Sequence, residues 1–246
     1  MKKRHVNILI SGLIILATGL PSTVWGQSQN PPSLPSAGSS AITASASASP
    51  APPVYRPPLR GMPFSREGGA TRGLDSKSIK ITALVPEHTA LTTQSQPCLF
   101  YHLSQSVDAP VEVTIIDDNA VEPLWQTLIA PPVSAGIHNF CMKDGGYRLE
   151  SGKVYKWFVA IVADPEHRSR DIVAGGAIER ILVSESLEDR LKKATLPDQI
   201  SIYADTGIWY DALSTIQQLI ESQPDSKQAM MMRTQFLNQV GLKIEE

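Results

Sequence analysis

The stretch LESGKVYKWFVAIVA, Leu149 to Ala163, decides the fold. Tyr155, Trp157, Val159 and Ile161 alternate with Lys156, Phe158, Ala160 and Val162, the period-2 pattern of a β-strand. The first set is aromatic and β-branched, the composition of a buried sheet face. The second set is apolar apart from Lys156. A strand apolar on both faces lies inside its sheet with cover on each side. Just upstream, Leu149, Gly152 and Tyr155 have the spacing of a tyrosine corner, in which the hydroxyl reaches back to nearby backbone.

Similar short segments repeat outward from this one. They are Ile79–Val85, Cys98–Leu103, Val111–Asp117, Pro123–Ile129, Ile137–Met142, Val154–Ala163 and Ile172–Val183, separated by Pro, Asp-Asn and Gly turn signals. Seven strands with no helical period among them predict an antiparallel sandwich of immunoglobulin/fibronectin type over residues 67–184. Gly175-Gly176 within the last strand predicts a bulge or a close approach. Ahead of the first strand stands REGGATRG, Arg66–Gly73, which reads as a glycine-permitted turn or as an anion-binding backbone nest.

From 185 to 246 the period becomes helical. Ser186 is placed to cap a first helix and Pro197 to open a second that Gly207 stops. Trp209, Ala212, Leu213, Ile216 and Ile220 line the apolar face of a third, and Ala229, Met232, Phe236 and Val240 that of a fourth. Tyr203, Gly207, Trp209, Ala212, Ile216, Leu219 and Pro224 fall at offsets resembling one tetratricopeptide-type helix pair. One pair cannot bury a continuous core alone. It is therefore expected to pack on the sandwich, with Phe158 and Val162 as its landing face. The fold class is α+β.

The chain opens on MKKRH and an apolar run, the pattern of a signal peptide over 1–26 with cleavage after Gly26. The run is short for a membrane span. Residues 27–66 are rich in Pro, Ser and Ala, too poor in large apolar side chains to fold, and read as a disordered tether. The reading implies an extracytoplasmic, periplasmic or secreted protein with no transmembrane segment in its mature part. Removing Lys2, Lys3 and Arg4 leaves 19 basic residues against 24 acidic ones, a net charge near −5. That balance offers no footprint for nucleic acid. Cys98 and Cys141 are either bridged or two buried thiols; without a CxxC, neither a redox motif nor a thiolate zinc site is supported.

The densest cluster of reactive side chains is the loop Asp164-Pro165-Glu166-His167-Arg168-Ser169-Arg170-Asp171. Carboxylates beside a histidine can hold a metal or act as acid and base. Here Asp-Pro also starts a hairpin whose charges can pair locally. Asp164, His167, Arg168, Arg170 and Asp171 are candidate interaction residues, and no catalytic, cofactor or metal site is assigned. Phe100, Tyr101, Trp125 and Trp157 could stack a sugar if they shared an open surface; otherwise they are core.

Four stretches together resemble a family of secreted proteins known mainly from cyanobacteria and classed only as a domain of unknown function. They are GGATRG (68–73), ITALVPEHTALTTQSQPCLFYHL (81–103), YKWFVAIVADPEHRSRDIVAGGAIER (155–180) and YADTGIWYDAL (203–213). Family members tend to carry a cysteine where this chain has Ala163 and a tryptophan where it has Ala177. The resemblance implies architecture and compartment and brings no activity. The expected function is a non-enzymatic extracytoplasmic interaction or scaffold protein, with an envelope protein or polymer as partner and no cofactor. The alternatives are a carbohydrate- or envelope-polymer-binding module and a metal-dependent hydrolase centred on 164–171.

Overall fold

A computed structural model of the chain describes residues 52–58, 66–69, 79–117 and 122–244. The expected leader with its cleavage at Gly26, residues 27–51 and 59–65 of the expected tether, and residues 70–73 of the glycine-rich stretch lie outside them.

The described residues form nine strands in two sheets. The first sheet has the order β1 (Glu67–Gly69), β2 (Lys80–Ala83), β4 (Cys98–Leu103), β7 (Gly136–Cys141). The second has the order β3 (Ala90–Thr92), β9 (Ile172–Arg180), β8 (Val154–Ile161), β5 (Val111–Asp117), β6 (Pro123–Ile129). Pairing is antiparallel except between β3 and β9, which run parallel with Ala90 opposite Ile178. The expectation of seven antiparallel strands is thus corrected at both added strands. Each is three residues long, too short to show a period, and each exists because a longer neighbour offers it an edge.

Strand β8 sits between β5 and β9, as its two apolar faces require. Tyr155, Trp157, Val159 and Ile161 are buried, and Ala160 and Val162 are buried on the other side. The Tyr155 hydroxyl accepts a hydrogen bond from the Glu150 N–H at 3.1 Å, the reach-back contact its spacing suggested. Strand β9 pairs with β8 in unbroken register from Val154–Glu179 to Ile161–Ile172, so the glycine pair makes no bulge there. It makes room instead: a Cβ on Gly176 would lie 2.7 Å from the Val85 Cγ2.

Five helices accompany the sheets: a single turn α1 (Met142–Gly145), then α2 (Glu185–Lys193), α3 (Leu196–Asp205), α4 (Trp209–Ser222) and α5 (Lys227–Asn238). Ser184, not Ser186, caps α2; its backbone is extended, and its Oγ accepts from the Leu187 N–H at 3.3 Å. Thr195 caps α3 and Ser226 caps α5 in the same way.

The helices do pack on the sheets, but not through Phe158 and Val162. Helix α4 lies against β3 and β4, one strand from each sheet. Two indoles explain why. Trp209 donates from Nε1 to the Leu84 carbonyl at 2.9 Å, and Trp157 donates from Nε1 to the Tyr210 hydroxyl at 2.7 Å. Buried indole N–H groups need acceptors, and these two find theirs when the start of α4 sits between the end of β2, just past which Leu84 supplies its carbonyl, and the inner face of β8, which carries Trp157. The Tyr210 hydroxyl then donates to the Ala177 carbonyl at 3.3 Å.

Candidate functional site

The charged loop that drew notice in the sequence is internally paired. Asp164 Oδ2 meets His167 Nδ1 at 2.7 Å and lies 3.6 Å from an Arg170 nitrogen. The hydrogen bond from His167 holds the Asp164 carboxyl below its ordinary range. Arg168 bonds Asp171 through Nε at 2.6 Å, and its two terminal nitrogens grip both oxygens of Glu112 on β5, at 2.7 and 3.2 Å. A guanidinium so clamped, first by Glu112 and then by Asp171, stays charged well beyond its usual range. The five candidate residues therefore gather in one loop, where Arg168 pins the β8–β9 connection to β5. Among the described residues no group of three or more His, Cys, Asp or Glu is placed to hold a metal ion.

The four rings proposed as a stacking platform are not one. Phe100, Tyr101 and Trp157 are at most 2% exposed. Trp125 alone is half-buried; it stacks on Phe140 with centroids 5.0 Å apart and donates to the Gly145 carbonyl at 3.0 Å. The carbohydrate-stacking expectation is corrected on this point: Phe100 and Tyr101 are neighbours on β4 and point to opposite faces, and both faces of that strand are covered, while Trp157 lies on the inner face of β8. Cys98 and Cys141 stand directly opposite in the β4–β7 register and are joined by a disulfide.

Two features escaped sequence reasoning. The first is Asp211, in the opening turn of α4 and 4% exposed. Its carboxylate accepts from the Thr92 hydroxyl at 2.7 Å, the Thr93 N–H at 3.1 Å, the Thr93 hydroxyl, and the Gln94 amide at 3.4 Å. Burial raises its pKa above the ordinary carboxylate value, and the threonine donors only partly oppose that. Burial and then the nearby Asp211 charge push the Tyr203 hydroxyl up to about 12. Asp211 is a lock between α4 and β3. The signal available was that TTQ and YDAL both belong to stretches that carry the family resemblance.

The second is a strap from the expected tether. Residues 52–58, PPVYRPP, lie in a groove made by α3, α4 and α5, which corrects the expectation of disorder for this part of 27–66. Tyr55 is 7% exposed. Its ring packs edge-on to Trp209 at 4.9 Å and to Phe236 at 5.9 Å, while Trp209 and Phe236 stack on one another at 4.4 Å. Its hydroxyl sits 2.9 Å from His88 Nε2. Burial pushes the Tyr55 hydroxyl up and His88 down, so both are neutral near pH 7.

The groove also reads the strap's backbone. The Gln239 side chain accepts from the Tyr55 N–H at 2.8 Å and donates to the Pro53 carbonyl at 2.7 Å. The Arg56 N–H donates to the Ala204 carbonyl at 3.0 Å, and its guanidinium meets Asp205 at 2.7 Å. Gly207, at φ 74°, ends α3 and leaves the space the strap needs: a Cβ there would stand 2.7 Å from the Arg56 carbonyl oxygen. Shallow clefts of about 380 and 420 Å³ flank the strap, one beside Arg56 and Asp205, the other beside Tyr55, Arg66 and His88.

Fold and site together define an α+β domain of two sheets, locked to a helical segment by buried polar contacts and closed by an N-terminal strap. The chain belongs to the family described as Domain of Unknown Function (DUF928), whose model matches residues 67–246. The strap lies before that match. No curated protein matches the chain. No helix among the described residues is long and apolar enough to cross a membrane.

Proposed function

We propose that the chain is a non-enzymatic extracytoplasmic interaction or scaffold protein whose partner is an envelope protein or polymer. The observation that carries this reading is the use made of its reactive side chains. Asp211, Arg168 with Glu112 and Asp171, Tyr210 with Trp157, and Tyr55 with His88 each join two elements of the fold. Such groups make a body rigid, which is what a scaffold needs. The leader-like start and the Cys98–Cys141 disulfide support export, because disulfides persist in oxidising compartments. The tetratricopeptide-like spacing from Tyr203 to Pro224 supports an interaction role for the helix pair.

Cross-linking in the intact cell envelope, followed by mass spectrometry, should recover the same partner repeatedly. Recovery of the uncrosslinked chain alone would overturn the reading. Compartment is read separately by fractionation with thiol alkylation. Cys98 and Cys141 should resist alkylation until reduced and travel with the envelope fraction; reactive thiols in the cytoplasmic fraction would refute export.

A further inference from the structure

The strap is bound as a ligand is bound. Its contacts are those of a peptide-recognition site: one aromatic anchor in a pocket, a side-chain amide clamping the peptide backbone, and an ion pair beside the anchor. Prolines on both sides of Tyr55 and Arg56 hold such a segment extended and low in entropy before it docks, the logic of polyproline-helix recognition. Pro53 is itself buried, whereas Val54, between the two anchoring positions, is 62% exposed and contributes little. The groove thus reads Pro53 and Tyr55 by burial and Arg56 by its backbone bond and ion pair, within the segment Pro-x-Tyr-Arg-Pro whose last proline is exposed.

The strap is also separable from the domain it closes. The family match begins at Glu67, the strap ends at Pro58, and only residues 59–65 and Arg66 lie between. None of the sheet pairings involves it.

We propose that the groove of α3, α4 and α5 is a binding site for an extended Pro-x-Tyr-Arg-Pro segment, and that its partner in trans is the strap of a second copy of this chain. Every copy carries both the segment and the groove, so reciprocal exchange closes a two-fold dimer in which each contact is remade. A short connection of this kind gives the strap an effective concentration on the order of 1 mM towards its own groove. Dilute chains therefore close on themselves, and copies held close together exchange. This deepens the interaction reading above. Its test reads the groove directly, so it can fail while envelope cross-linking still finds a partner, and the reverse.

The test uses the full chain with a protease site placed among residues 59–65, cut after folding, and a fluorescent peptide PPVYRPP as probe. The cut chain should bind the peptide, and the uncut chain should bind it at least ~100-fold more weakly because its own strap competes. The same peptide with Tyr55→Ala should lose at least tenfold in affinity, and with Arg56→Glu several-fold. A cut chain that refuses the peptide, whether it keeps its own strap or sheds it, overturns the site. For the occupant, full-length chains of two isotopic masses are incubated together up to about 1 mM and examined by native mass spectrometry. Mixed dimers that disappear in Tyr55→Ala support exchange. Peptide binding without mixed dimers overturns the second copy as partner and assigns the groove to another protein's Pro-x-Tyr-Arg-Pro segment.

Discussion

The 164–171 loop and the opening turn of α4 handle charge in opposite ways. The loop carries many charges, and all but Asp171 stand largely at the surface, where water already solvates them and each partner adds little. The turn carries one carboxylate, Asp211, almost fully removed from water and dependent on Thr92, Thr93 and Gln94. Density of charge made the loop conspicuous in the sequence. Depth of burial makes the turn matter to the fold.

The largest effect should come from Asp211→Ala. It leaves the buried Thr92 hydroxyl and the half-buried Thr93 hydroxyl and N–H without their acceptor, and should cost roughly 2–4 kcal/mol in urea unfolding, because several donors lose their partner at once. Asp211→Asn sharpens the point through pH. The folded carboxyl holds its proton more tightly than the unfolded one. The parent therefore loses stability as pH rises from the ordinary Asp value of 3.8 through the higher folded value. The Asn variant lacks that loss, so the parent's stability relative to the variant should fall as pH climbs through this window. A relative stability that rises instead would mean the carboxylate, not the acid, is the favoured buried form.

Tyr210→Phe comes next. It keeps the ring and strands the Trp157 indole N–H, and should cost roughly 1–3 kcal/mol. Arg168→Ala removes the fork on Glu112 and the bond to Asp171; the guanidinium is 48% exposed but the two carboxylates are 11% and 5% exposed, so roughly 1–2 kcal/mol is expected. A larger cost for Arg168→Ala than for Asp211→Ala would invert the comparison and make the loop the principal lock. Smallest of all, His167→Ala should leave the unfolding midpoint where it was, since its pairing with Asp164 is surrounded by solvent.

The legible parts of the fold were those with a period long enough to see. Strands β4, β5 and β6 begin and end where the alternation and turn residues placed them. Helices α3 to α5 follow from their apolar faces and from Pro197 and Gly207. What stayed hidden depended on partners distant in the chain. Ala90–Thr92 becomes a strand only because β9 runs parallel beside it. Asp211 reads as a surface residue until Thr92 and Thr93 are seen facing it. Tyr55 is a lone aromatic in a proline-rich stretch, and nothing local says that Trp209 and Phe236 have left a place for it. The apolar landing face on Phe158 was plausible for packing area, but it offered no acceptor for the Trp209 or Trp157 indoles.

The disulfide has a consequence for assembly of the sheet. Cys98 and Cys141 are cross-strand partners at one end of the β4–β7 ladder. Side chains alternate along a strand, so a slip of one residue would turn Cys141 to the opposite face and set Phe140 across from Cys98. A correctly aligned ladder brings the sulfurs together; a ladder out by one keeps them apart and leaves two thiols open to oxidants and thiol-scavenging enzymes. Formation of the bond then works as a proofreading step on strand alignment, and newly made copies that fail it remain chemically marked.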